Sequence, residues 1–131
     1  MVAAELSALI ESGTQSLDLD LHPRICGIYF LMKDREVVYV GQSVDVIGRC
    51  MEHRECVNRN RKRRAAGNRC LSAGAAGRDS EEFGFDGVRY VDVDEEKLDE
   101  YEKRFIAHFE PKFNGSALTD SYKRRYGRLT P

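Results

Sequence analysis

Apolar residues recur along this chain in two rhythms. Residues 25–32 (ICGIYFLM) and 37–40 (VVYV) are nearly continuous apolar runs rich in β-formers, joined by the polar segment KDRE. Two such runs across a short polar loop predict an antiparallel hairpin. Residues 85–93 (FDGVRYVDV) set Val88, Tyr90 and Asp92 against Arg89, Val91 and Val93, which predicts a third strand. Leu17, Leu19 and Leu21 alternate with Asp18, Asp20 and His22 up to Pro23, the period of a half-buried strand or extended arm. The second rhythm is helical. AAELSALIE at 3–11 predicts a short amphipathic helix ended by Gly13. SVDVIGRCMEHRECV, after Gly41, predicts a helix capped by Ser43, with Val44, Ile47, Cys50 and Met51 as its apolar arc. A third helix is expected over 95–109, with Asp94 as its cap and Pro111 forcing its end. Residues 58–82 read as a loop, basic first, then rich in Gly and Ala, then acidic. The tail 115–131 is polar, with a basic cluster at Lys123, Arg124 and Arg125.

Composition narrows the class. At 131 residues, 41% hydrophobic and 33% charged, the chain has the length of one globular domain. No apolar run approaches the ~20 residues of a membrane helix, so no membrane association is expected. The opening MVAAELSALIESG has no basic n-region, which predicts a cytoplasmic protein. The net charge of −1 hides strong asymmetry. Residues 54–69 carry Arg54, Arg59, Arg61, Lys62, Arg63, Arg64 and Arg69 against Glu55 alone, whereas residues 79–102 are strongly acidic. A near-neutral total therefore leaves a polyanion partner open, because binding follows the local field. Cys26, Cys50, Cys56 and Cys70 form no CxxC pair, and their spacing around His53 matches no common zinc pattern. They read as small buried residues.

Glu102 is the most informative residue. Leu98, Tyr101, Phe105, Ile106 and Phe109 form the apolar stripe of the 95–109 helix. At about 100° per residue, Glu102 falls between Phe109 and Ile106, inside that stripe. An unpaired buried carboxylate costs several kcal/mol. Either a cation such as Arg49 pairs with it, or it is a metal ligand or catalytic acid. Arg49 and His53 stand four apart and share one helical face. The arginine fork fits a phosphate, and a histidine can move a proton near neutral pH. Tyr29 and Tyr39 lie on the two hairpin strands, where they either pack or face a common cleft. Gly27 and Gly41 beside them suggest close backbone approach.

Taken together, these residues resemble a known family. Gly-Ile-Tyr at 27–29 and Tyr-Val-Gly at 39–41 look like the GIY-YIG nuclease superfamily, with Val40 where Ile is commoner. The Tyr-Val-Gly-Gln-Ser run is similar to many small members. Arg49 and His53 stand where the family places its helical arginine and, in some members, a histidine. Glu102 in LDEYEKRFIAHFEPKFN resembles the family's glutamate, and Asn114 its asparagine. The match covers residues 25–114, about two-thirds of the chain. Gly48 departs from the bulkier residue of many relatives.

The resemblance implies an α/β fold of GIY-YIG type: a three-stranded antiparallel sheet flanked by helices. The nuclease domain would span 23–114 with a basic loop at 58–82, between an N-terminal helix and arm at 1–22 and a basic tail at 115–131. The implied activity is hydrolysis of DNA phosphodiesters, leaving 5′-phosphate and 3′-hydroxyl ends. Catalytic residues would be Tyr29, Tyr39, Arg49, His53, Glu102 and Asn114, with Glu102 holding Mg²⁺ and Mn²⁺ able to substitute. Arg59, Arg61, Lys62, Arg63 and Arg64 are expected to track the DNA backbone. With only 17 residues after Asn114, short-site specificity, a homodimer or a partner protein would supply targeting. The alternative is an inactive nucleic-acid-binding module of the same fold.

Overall fold

The computed structural model describes residues 15–67 and 84–126. Strands β1 (Gln15–Ser16), β2 (Gly27–Lys33), β3 (Glu36–Ser43) and β4 (Gly87–Asp92) form one sheet in the order β1-β4-β2-β3. All pairs are antiparallel. The helices are α1 (Val46–Ala65), α2 (Leu98–Phe109) and α3 (Ser116–Tyr126). The architecture is thus α/β: a three-stranded antiparallel core sheet with a two-residue strand added at its β4 edge, and three helices. The helix expected at 3–11 lies outside the described residues.

The hairpin forms as expected, with Asp34 and Arg35 as its two-residue turn. Both take positive φ, 52° and 68°, as the right-handed twist of the flanking strands favours. A bulge shifts the register between Leu31 and Met32, so that Leu31 faces Tyr39 while Met32 faces Val37. Val38 and Tyr39 consequently both enter the core on the α1 side. Simple alternation cannot place two consecutive residues on one face.

The two sheet faces have separate cores. Tyr29, Leu31, Val38, Tyr39 and Val88 pack with Val46, Cys50 and Val57 of α1. Ile28, Phe30, Val40, Val91 and Val93 pack with Leu98, Tyr101, Phe105 and Ile106 of α2. The α2 stripe matches its periodicity, and Glu110 closes the helix in a left-handed conformation before Pro111.

Several elements differ from expectation. Helix α1 continues to Ala65, so residues 58–65 of the expected basic loop are helical; residues 68–83 lie outside those described. The buried side chains Val46, Cys50, His53, Val57 and Asn60 follow 4-3-4-3 spacing. The core position after Val57 is the polar Asn60, so apolar periodicity alone ends the helix too early. Val44 precedes the helix and is exposed. Asp45 caps it, its Oδ1 accepting from Gly48 N at 3.3 Å, while Ser43 Oγ accepts from Asp45 N. Asp94 leads into a 3₁₀ turn (Glu95–Lys97) but makes no side-chain cap bond. The arm is strand only at 15–16, yet Leu19 joins the α1-side core, so the arm is part of the domain. Residues 116–126 of the tail form α3, packed against the α2-side core through Tyr122 and against Arg104, which lies 4.8 Å over the Tyr126 ring. No described helix is long and apolar enough to cross a membrane.

Candidate active site

Strand β3 organises the site, because four consecutive residues each address a different part of it. Tyr39 turns toward α1, with its ring 5.2 Å from that of His53 and 6.2 Å from that of Tyr29. Val40 binds Asn114 through its main chain: its N donates to Asn114 Oδ1 at 2.9 Å, and its carbonyl accepts from Asn114 Nδ2 at 2.8 Å. Gly41 lies against the Tyr29 phenol, and a Cβ there would overlap the ring and hydroxyl. Gln42 donates from Nε2 to Asp99 Oδ1 at 2.6 Å and also hydrogen-bonds Glu102.

On the α1 side, Tyr29 Oη and His53 Nε2 are hydrogen-bonded at 2.9 Å in a buried setting. Burial, followed by the charge of Tyr39, pushes the Tyr29 phenol well above its usual range, while Arg49 opposes the rise. Burial and then Arg49 lower His53 to about 4, so the imidazole is neutral at pH 7. Burial raises the Cys50 thiol beside them to about 12. Arg49 is half-exposed and pairs with Glu52 at 2.7 Å. Desolvation pulls its pKa down, but Glu52 and the two phenols hold it above its ordinary value.

Glu102 lies on the other side of the strand. Residues 41 and 42 point to opposite faces, so Gln42 faces α2, which carries Glu102, while Gly41 and Tyr29 face α1. Burial raises the Glu102 carboxyl, Gln42 and Lys103 lower it, and Asp99 adds to the rise. Arg49 takes Glu52, not Glu102, as its ion-pair partner. A desolvated carboxyl with a second carboxylate beside it gains from a nearby cation. The donors are oxygens only, which suits a hard, largely hydrated ion such as Mg²⁺. Among the described residues, no three His, Cys, Asp or Glu side chains gather as a metal cluster, so protein ligands alone would not enclose such an ion.

The expected residues therefore fall into three groups around residues 39–42. Tyr29, Tyr39, Arg49 and His53 form one cluster. Glu102 stands across the strand, linked through Gln42. Asn114 is buried and uses both ends of its amide on Val40, so it holds the strand. Gln42 and Asp99 join the site although nothing in the sequence pattern singles them out. The one signal for Asp99 is its place one turn before Glu102 on the same helix.

The basic residues divide between two sides of α1. Relative to Arg49, Arg59 and Arg63 lie within about 80° around the helix, on the side that carries Glu52. Arg61 instead lines a groove with Arg54, Asp18 and Asp86. Lys62 is exposed on the outer face; Arg64 is in the helix, with its side chain outside those described. Cys26, Cys50 and Cys56 are free thiols; Cys70 is outside the described residues. No family model matches the chain, and comparison with curated proteins and with solved structures likewise finds no match.

Proposed function

We propose that the chain is a metal-dependent DNA endonuclease of the GIY-YIG type. The observation that carries this reading is the buried Tyr29–His53 hydrogen bond under Gly41, with the Arg49 guanidinium beside the phenol. Arg49 exchanges Glu52 for a non-bridging phosphate oxygen, its fork matching the phosphate and stabilising charge as it develops. Water gives its proton to Tyr29 Oη as the phenolic proton passes to His53 Nε2. The water oxygen bonds phosphorus, the bond to the 3′ oxygen breaks, the leaving oxygen takes a proton from solvent, and His53 returns its proton to solvent. This leaves 5′-phosphate and 3′-hydroxyl ends. His53 is neutral at pH 7, so its Nε2 can accept the Tyr29 hydroxyl proton along the hydrogen bond the two already share. Tyr39 borders both rings and holds them in place from one side. Glu102, oriented by Gln42, would hold Mg²⁺ or Mn²⁺, which when bound supplies Lewis-acid stabilisation of the phosphate. Arg59, Arg63 and Lys62 continue the phosphate track along α1. Targeting falls to a homodimer or partner protein, and the cytoplasm, where free thiols stay reduced, is the fitting compartment.

A second reading, DNA binding without cleavage, is favoured by the burial of Tyr29, only 1% exposed. Relaxation of supercoiled plasmid separates the two. Nicking with Mg²⁺, lost in chelator and in Tyr29→Phe, supports the nuclease. Gel retardation without nicking leaves the binding module.

A further inference from the structure

At the turn end of the hairpin, the sheet face covered by α2 opens into a cavity of about 670 Å³. It lies on the α2 side of the sheet, whereas Tyr29 packs on the α1 side, and Gln42 is five positions from its lining residue Val37, about 17 Å along an extended strand, so it is distinct from the Tyr29–His53 pair. Its apolar part is formed by Phe30, Met32, Val37 and Phe109. Phe109 is half-buried and meets the Phe30 ring edge-on at 5.5 Å. Its charged lining is Arg35, Arg89 and Lys112 against Glu36 and Glu110. Glu110 is held by Lys123 at 2.7 Å, and the lining carries three cationic side chains against two carboxylates.

Two features of the chain itself mark this cavity. Arg89 pairs directly opposite Phe30 and shares a face with Val91 and Val93, so a guanidinium stands where the pattern calls for an apolar residue. Arg35 and Glu110 both take the left-handed backbone, φ 68° and 49°. Glycine is the favoured residue at both places, the second position of a tight hairpin turn and the close of a helix. The chain instead keeps charged side chains at both, and both line the same cavity.

We propose that this cavity binds a nucleotide, its flat base against Phe109 and Met32 and its phosphate on Arg35 and Arg89. The size and the mixture of apolar wall with few charged groups are those of a small-ligand site. Arginine forks match phosphate, and aromatic rings take a base of any sequence. The source is either a free nucleotide or an unpaired nucleotide of a bound strand; the base-plus-phosphate chemistry is the same. The site does not depend on the chain cleaving DNA.

The test is titration of the ¹⁵N-labelled full chain with deoxyadenosine 5′-monophosphate, deoxyadenosine, inorganic phosphate and a short single-stranded oligonucleotide. Saturable amide shifts at Arg35, Arg89 and Phe109 are expected with the monophosphate, and weaker ones with deoxyadenosine or phosphate alone. Tighter binding of the oligonucleotide at the same amides assigns the strand as source, and tighter binding of the monophosphate assigns the free nucleotide. Arg35→Gly removes the cation and relieves the turn, so thermal stability should hold or rise while affinity falls by ~10-fold. The absence of saturable shifts with the monophosphate and the oligonucleotide, or wild-type affinity in Arg35→Gly, overturns the proposal.

Discussion

Tyr29 and His53 are 24 residues apart in sequence, yet share a buried hydrogen bond of 2.9 Å. Neither group is exposed enough to satisfy its polar atom with water: Tyr29 is 1% and His53 2% exposed. Each therefore orients the other.

Tyr29→Phe keeps the ring packing and removes only the hydroxyl. It removes the hydrogen bond to His53 Nε2, which costs about 0.5–1.5 kcal/mol. Plasmid nicking should fall at least ~10²-fold, the lower range for loss of proton transfer. His53→Ala should lose less if the imidazole only relays. Should Tyr29→Phe nick normally while His53→Ala is dead, the roles of the two are reversed.

Acid should loosen the fold through His53. In the fold its pKa is about 4, against an ordinary value of 6.5. Between these values the unfolded chain binds more protons, so the contribution of His53 is full above pH ~6.5 and is lost as pH falls toward ~4. Glu102, whose pKa burial raises, tilts stability the other way as it ionises. Denaturant midpoints across this window, measured in a Glu102→Gln background, should fall with pH when His53 is present. They should flatten when it is replaced by Gln.

Glu102→Ala should abolish nicking and leave gel retardation unchanged, because removing a carboxylate does not weaken attraction for phosphate. It should also melt higher than wild type above neutral pH, since no desolvated carboxyl has to ionise. Near wild-type nicking with Mg²⁺ would rule out Glu102 as the metal residue, and a lowered melting temperature would point to a structural role.

Arg49→Lys retains charge but not the fork. Its pair with Glu52 is at the surface, worth about 0–1 kcal/mol, so the melting temperature should barely move. Most nicking activity should be lost. Full activity in the lysine variant would reduce Arg49 to a point charge.

The helical form of the basic segment makes its salt dependence side-specific. Arg59→Gln with Arg63→Gln should lower the slope of log affinity against log salt by ~2, since each phosphate that a cation neutralises on duplex DNA adds about 0.9. Arg54→Gln with Arg61→Gln, on the groove that also holds Asp18 and Asp86, should change it less. Equal slopes for the two pairs would mean that DNA does not follow the Arg49 side of α1.

The hairpin and α2 are legible in the sequence because their buried faces are apolar and regular. The end of α1 is not, because after Val57 the next core position is the polar Asn60. The bulge at Val38 leaves no trace in the spacing, since it is set by how β2 and β3 pair. Glu102 stands out as a carboxylate in an apolar stripe, but its actual neighbours do not. Gln42 reaches it only because the strand and α2 pack together, 57 residues separating Gln42 from Asp99. The Tyr29–His53 bond is likewise a product of tertiary packing rather than of spacing.

The amide of Asn114 stands in for a neighbouring strand along the outer side of β3, offering one donor and one acceptor to Val40. That contact spans 74 residues. During synthesis the hairpin emerges from the ribosome long before Asn114 does, with its outer hydrogen-bonding groups at Val40 unclaimed. An open strand edge of this kind can pair with another chain. Nascent copies should therefore be most prone to join edge to edge in the interval before the Pro-Lys-Phe-Asn turn arrives, and a chain stopped short of residue 114 would keep that hazard permanently.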